Sequence, residues 1–581
     1  MADYGNMNLP SLVQYAVFLL LVIVLVKPLG GYMTRVFQGE RTWLDFLLRP
    51  VERLIHRLTG VDSTFEMNWK EYATCFVLFA LAGTTLLYLL LRLQSHFPWC
   101  DPAYMSTSIT PDLAMNTAVS FSTTTTWQAY GGETTMSYFS QLAGLAAQNF
   151  LAGAAGLAVG VAFIRGLARD QTDKLGNFWV DLVRSLLWIL LPLSILGSLV
   201  LIWQGVPMNF NPYTQVSTME GSSQIIAQGP VAAFEAIKNL GTNGGGFFNA
   251  NGAHPFENPT PLANFVEMLL IVVLPAAFVN TFGRMTGRLR ESWALLWAMV
   301  VLFTCGLLIC GWVEQRGNPL VAREIHRATP MLESPSIPNL EGKEVRFGVG
   351  GSVLTAITTS NGATGSYNSM HDSYTPVGGA VLLANMLLGE IIFGGLGTGL
   401  YSIILIALAG LFLAGLMVGR TPEYLGKKIG ITEIKYIMLY TLAGPITVLV
   451  LTAIAIATQP GLAGLTTNNG THGFTEIFYA YASSFANNGQ NFAGLSANSI
   501  FYNVTTALAM ILGRFGLAIP ALALAGSFAR QQRRPATLGT LPAYTFTFGV
   551  LVVGTALIVG GLSYFPALAL GPIIEHLLMN N

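Results

Sequence analysis

The sequence predicts an all-α polytopic membrane protein with about ten transmembrane helices. Three observations predict it. Of the 581 residues, 52% are hydrophobic and only 10% are charged, whereas soluble domains carry about 25% charged residues. Apolar runs long enough to cross the ~30 Å hydrocarbon layer recur ten times along the chain. Lysine and arginine concentrate in alternate connections between those runs. The formal net charge is zero, so no global field draws nucleic acid to the chain.

The runs lie at roughly 9–27, 72–93, 137–164, 182–203, 262–282, 292–313, 380–418, 436–457, 499–529 and 541–570. The first has no basic leader and no small-residue cleavage site closes it, so it reads as a membrane helix and not a signal peptide. Lys27, Arg35 and Arg41 follow it, which sets its N-terminus outward. The inner connections are then 27–71, 165–185, 283–291, 419–435 and 530–540. They hold 21 of the 29 Lys and Arg residues, the asymmetry that the positive-inside rule requires. Ten spans return the C-terminus to the outer side. Cys75, Cys100, Cys305 and Cys310 show no metal-ligand pairing. Cys305 and Cys310, five apart on one helix, read as packing residues.

The outer segments 94–136, 204–261, 314–379 and 458–498 are rich in Gly, Asn, Thr and Ser. Each holds a moderately apolar stretch that ends in a polar string. This is the pattern of a re-entrant loop, in which a half-helix dips into the membrane and extended backbone returns. Such backbone survives at membrane depth only where it lines a wet cavity or is buried in protein. The strings are Thr123-Thr124-Thr125, Thr242-Asn243-Gly244, Ser360-Asn361-Gly362 and Asn487-Asn488-Gly489, recurring about every 120 residues. One Asn-Gly or Ser-Gly pair is an ordinary turn. Four similarly placed ones predict four span–pore-loop–span pseudo-repeats around one central ion filter, plus one extra helix at each end. The expected division is an N-terminal helix and cytoplasmic segment (1–71), repeats at 72–185, 186–291, 292–435 and 436–540, and a C-terminal helix (541–581).

Hydroxyls, amide oxygens and backbone carbonyls are neutral oxygen ligands. They suit a large, weakly hydrated cation such as K+, whereas a carboxylate ring favours divalent ions and holds them too tightly for release. No Asp or Glu falls within the four strings. Half-helices ending near a common axis would also aim their negative dipole ends at the cation. Gly245 and Gly246 read as the return path of the second loop.

The chain resembles the potassium-binding A subunits of the bacterial Kdp potassium-importing ATPases. The resemblance rests on GTNGGGFFNANGAHPFENPT (241–260), NTAVSFSTTTTWQAYGGETTMSYFSQ (116–141), SMHDSYTPVGG (369–379), GRTPEYLGKKI (419–429), FANNGQNFAGLSANS (485–499) and FPALALGP (565–572). It implies the fold of the superfamily of potassium transporters, with K+ as the transported ion bound by the four strings. It also implies that Gln128 and Gly244 occupy selectivity positions. The implied partners are a P-type ATPase subunit (KdpB), a single-span C subunit (KdpC) and a small F peptide (KdpF), within a bacterial inner membrane. Departures from the family pattern are Thr124 and Thr126, in place of Asn, and Asn361, in place of Cys.

Further residues stand out. Gly394, Gly395, Gly397 and Gly399 interrupt a run too long for one crossing. They read either as close helix packing or as an intramembrane loop that gates the path below the filter, the reading that the resemblance supports. Arg514 lies inside the ninth span, where a guanidinium is costly and faces a cavity or a partner. It reads as an inner pore residue that repels a cation leaving straight inward, or as a side chain paired with a helix carbonyl. Lys238 reads as an anchor of the second half-helix, and His371-Asp372 as loop-bracing groups. The basic loop from Arg420 to Lys428 reads as a topology signal or as a docking segment. No phosphate-binding P-loop and no phosphorylated Asp-Lys-Thr-Gly occurs, so the chain carries no visible means of hydrolysing ATP. Three functions follow as alternatives: a pump subunit, a stand-alone channel or symporter of the same architecture, and an outer-face enzyme acting through His371 and Asp372.

Overall fold

The computed structural model describes residues 8–99, 105–328, 337–419, 421–535 and 541–580. Among the described residues, ten helices are long and apolar enough to cross a membrane: Leu9–Gln38, Trp69–Arg92, Ser140–Ala168, Phe178–Trp203, Pro261–Met285, Leu289–Ile325, Thr398–Val418, Ile431–Ala457, Ile500–Arg530 and Phe546–Met579. The ten expected spans are all present, and most run several residues further than their apolar cores. Polar and charged residues continue a helix beyond the hydrocarbon because only its backbone bonds must be closed there. The β-structure among the described residues is confined to three two-stranded antiparallel pairs and three isolated bridges.

Four shorter helices enter between the spans: Pro111–Ser122, Val231–Leu240, Gly348–Asn361 and Gly470–Phe485. The first is capped by Thr110, whose side chain accepts from the Leu113 N–H. Every residue of the third from Gly351 to its end is buried, so these helices lie inside the protein and not on its surface. Burial sorts the spans around them. In three of the four repeats the span after the half-helix is the better covered one. In the first, 83% of the most apolar stretch of Ser140–Ala168 is buried, against 22% for Trp69–Arg92 before it. In the third repeat the two spans are equally covered. The first and last spans of the chain are each only 28% buried. The spans that follow the half-helices therefore form most of the inner wall, and the terminal spans form the rim.

The seventh apolar run, expected as one broken crossing, is two helices. Pro376–Leu387 stops short, residues 388–397 form irregular turns, and Thr398–Val418 completes the crossing. At one end of the bundle, ion pairs stitch the basic connections together. Arg184 meets Glu52 at 3.0 Å, Arg169 meets Glu66 at 2.7 Å, and Arg533 meets Asp170 at 3.1 Å. Lys427 is buried against the Gly166 carbonyl at 3.1 Å and faces Asp170 at 3.5 Å. Its loop is thus fastened to the third span, while Arg420 lies outside the described residues. Cys100 lies outside them too. Cys310 is buried as expected, but Cys305 is exposed on the bundle surface.

Candidate functional site

The four half-helices end in the same way. Two residues beyond each helix the backbone enters the left-handed region, at Thr124 (φ 65), Thr242 (φ 51), Ala363 (φ 49) and Asn487 (φ 51). The next N–H turns back to a carbonyl five residues earlier: Thr125 to Ser120 at 2.9 Å, Asn243 to Lys238 at 3.0 Å, Thr364 to Thr359 at 3.2 Å, and Asn488 to Ser483 at 3.0 Å. Non-glycine residues in this region persist only where the surroundings impose them, and they gather at ligand sites. The same device four times makes the loops equivalent.

The loops touch in a closed circle. Thr126 Oγ1 donates to the Asn243 carbonyl, joining loop one to loop two. Gly244 pairs in parallel with Gly365, joining two to three. A Cβ on Gly365 would stand 2.9 Å from the Asn488 carbonyl oxygen, and one on Gly489 would overlap the Thr125 carbonyl oxygen, joining three to four and four to one. Asn487 Nδ2 also donates to Thr125 Oγ1 at 2.9 Å. The ring presents backbone carbonyls, hydroxyls and amides, and the half-helices bring their C-terminal ends to it. Such a set can replace the water shell of a monovalent cation.

Geometry fixes the register. The equivalent strings are Thr124-Thr125-Thr126, Thr242-Asn243-Gly244, Ala363-Thr364-Gly365 and Asn487-Asn488-Gly489. The second and fourth coincide with the expected positions. In the first, Thr123 is the cap of its helix and Thr126 joins the ring. The third shifts by one helical turn. Ser360 and Asn361 are the last residues of the half-helix and Gly362 caps it. Ser360 Oγ accepts from Asn385 at 2.9 Å, and Asn361 Nδ2 donates to the Ile357 carbonyl at 2.9 Å. Those bonds engage the two side chains elsewhere, while the Ser360 carbonyl accepts from Asn488 Nδ2 at 3.3 Å. Ser-Asn-Gly and Ala-Thr-Gly are alike in type, and the more even spacing of Gly244, Gly365 and Gly489 was the signal for the second.

The structure places the remaining candidates at two levels. Gln128 lies above the ring, where its amide donates to the Gly246 carbonyl at 3.0 Å and accepts from the Gly246 N–H at 2.7 Å. It braces the return path on which Gly246 lies. Below the ring, the Leu396 N–H donates to Thr242 Oγ1 at 2.9 Å. A Cβ on Gly395 would stand 3.5 Å from Ala363. The irregular segment therefore lies directly beneath strings two and three. Gly394 and Gly399 pack on each other and Gly397 packs on the backbone of Gly156. Arg514 donates to Thr124 Oγ1 and to the Ala152 carbonyl, both at 3.1 Å. It thus both pairs with a helix carbonyl and stands at the base of the ring. Glu390, which drew no notice in the sequence, is buried in the same irregular segment, with Gly395 beside its carboxylate.

Lys238 anchors its half-helix: it is fully buried against Glu235 and Glu257, each at 2.7 Å. His371 reaches Tyr479 at 3.3 Å and Asp372 reaches His472 at 2.9 Å. Both tie the third loop to the fourth half-helix, as bracing groups do.

The model of the potassium-transporting ATPase A subunit family (KdpA) matches residues 16–577. Similar curated proteins are the potassium-transporting ATPase potassium-binding subunits of a Methylorubrum extorquens strain, 52% identical over 570 residues and 98% of each chain, and of Granulibacter bethesdensis, 50% identical over 573 residues and 99% of each chain. Among solved structures, the crystal structure of the potassium transporter TrkH from Vibrio parahaemolyticus matches with a TM-score of 0.50 and 14% identity, over 89% of this chain and 97% of that one. That last likeness concerns the fold.

Proposed function

Because the chain belongs to the potassium-transporting ATPase A subunit family, we propose that it is the potassium-selecting subunit of an ATP-driven import complex. It takes K+ from the outer side and passes it to a P-type ATPase partner. The observation that carries this reading is the closed ring of four strings, built from neutral oxygens and reached by four half-helix C-termini. The ligands proposed are the carbonyls and side-chain oxygens of Thr124–Thr126, Thr242–Gly244, 363–365 and Asn487–Gly489, with Gln128 bracing the outer mouth.

A dehydrated potassium ion needs several oxygens at once, each bound weakly enough to release it. Below the ring the path meets Arg514 and the segment 388–397. The guanidinium repels a cation that moves straight inward, and the segment obstructs the axis. A sideways transfer to the partner is the exit this arrangement favours. The same reading puts the protein in a bacterial inner membrane, with both termini outside and with a single-span C subunit and a small F peptide alongside.

Co-expression with the partner subunits and ATPase assay of the purified complex tests this. Hydrolysis should rise with added potassium, and the chain alone should neither hydrolyse ATP nor pass potassium through liposomes. Potassium flux from the chain alone would support a channel instead.

A further inference from the structure

Behind strings two and three lies a cluster that the ring does not use. Lys238, Glu235, Glu257 and Asn251 are each at most 2% exposed. The Lys238 ammonium pairs with Glu235 and Glu257 at 2.7 Å and donates to Asn251 Oδ1 at 2.8 Å. Two of its donors form hydrogen bonds, to Glu257 and Asn251, and Glu235 adds an ion-pair contact. Glu257 also accepts from the Phe248 N–H at 2.6 Å, so the ammonium is held from three directions.

Asn251 carries this fixed point to the ring. Its backbone is left-handed, with φ 52, a conformation that Asn tolerates better than most residues. Oδ1 is occupied by Lys238 and by the Gly252 N–H at 2.8 Å. An ammonium has no acceptor, so the amide is oriented without ambiguity. Nδ2 then points the other way and donates to the Gly365 carbonyl at 3.1 Å. Gly365 belongs to the third string, whereas Lys238 and Asn251 belong to the second pore-loop unit. Asn149 treats the Gly244 carbonyl in the same way, more loosely, at 3.4 Å.

We propose that Asn251, held by Lys238, is a positioning residue for ion selection that acts through the Gly365 carbonyl. This rests on reading the four strings as a potassium filter. A carbonyl oxygen has two lone pairs. A rigid donor occupies one and fixes the direction of the C=O dipole, so the oxygen keeps one place and one aim in the ring. Discrimination among monovalent cations depends on the number and field strength of the oxygens that face the ion. Freeing the Gly365 carbonyl should therefore alter which ion is preferred, with no ligand removed.

The test uses the complete co-expressed complex and measures ion-stimulated ATPase with potassium and with rubidium. Asn251→Gly deletes the amide and accepts the left-handed backbone, so folding is protected. Asn251→Asp keeps the shape but puts a charged acceptor where the donor was, so Asn251→Gly is the charge-free arm that isolates loss of the donor. In both, KM for potassium should rise about tenfold and the rubidium-to-potassium KM ratio should move toward one, with kcat held within about twofold. Lys238→Met should shift the ratio in the same direction. An unchanged ratio in both Asn251 variants overturns the proposal, and so does a fall in kcat and thermal stability with the ratio unchanged. A wild-type complex that potassium does not stimulate overturns the filter reading itself, and the proposal with it.

Discussion

Gly244 and Gly489 stand where no side chain fits. Both have φ above +80, and a Cβ on Gly244 would overlap the Gly365 backbone, as one on Gly489 would overlap the Thr125 carbonyl. Gly244→Asp adds a carboxylate to a ring of neutral oxygens. Potassium-stimulated ATPase should then show KM raised at least about tenfold and weaker discrimination against other cations. Unchanged selectivity would mean that the ring is drawn in the wrong register. At the start of the fourth half-helix, His472 lies between Asp372 at 2.9 Å and Glu575 at 2.7 Å. Burial works to lower its pKa, but the hydrogen bonds and charges of these carboxylates outweigh burial and push it up to about 10. A raised pKa contributes stability that is fully present below the unfolded value near 6.5 and is lost as pH rises through the folded value. The melting temperatures of the wild type and His472→Gln should differ most below about pH 6.5 and converge above about pH 10. A gap that does not change with pH would show that the imidazolium is not what the carboxylates hold.

The ten spans were legible because a crossing demands a length and an apolarity that nothing else in the chain imitates. The half-helices were legible only as interruptions, since each is short and surrounded by polar residues. By loop geometry the third string lies three residues beyond the expected Ser360-Asn361-Gly362, because that string and Ala363-Thr364-Gly365 offer the same chemistry. Only the last helical hydrogen bond decides between them, and no residue type announces it. Asn251 was invisible for a different reason: its partner Gly365 lies 114 residues further along the chain. The break in the seventh crossing could be read from its glycines, but its position under strings two and three could not. At that position the segment can act either as a gate or as packing, and a variant decides between them. Gly397 has φ 85 and a Cβ there would overlap the Gly156 carbonyl, so Gly397→Ala must displace the segment. Transport should slow by about tenfold with KM for potassium nearly unchanged, because the ring above is intact. A variant that loses only thermal stability, and transports normally per folded molecule, would mark the glycines as packing residues.

At the scale of the molecule, the two faces are built from different interactions. One end is held by Arg184–Glu52, Arg169–Glu66 and Arg533–Asp170, between connections that carry most of the basic residues. The other end combines hydroxyl and amide bonds around the half-helices with fully buried pairs, Lys238–Glu257 at 2.7 Å and Lys343–Glu314 at 2.9 Å. In the proposed orientation the first end is cytoplasmic, as the positive-inside rule expects, and the half-helices then admit the ion from outside. Were the chain inverted, the filter would open to the cytoplasm and the same ring would serve export. Sidedness is therefore part of the functional reading, and it is measurable. Met219 is fully exposed on the hairpin between the fourth span and the second half-helix, and Arg290 is exposed in the first turn of the sixth span, next to the short connection from the fifth. In a background lacking the native cysteines, Met219→Cys in intact spheroplasts should react with a membrane-impermeant maleimide at least about tenfold faster than Arg290→Cys. In inside-out vesicles the order should reverse. Labelling of Arg290→Cys from outside would place the basic end outward and remove the basis for reading the complex as an importer.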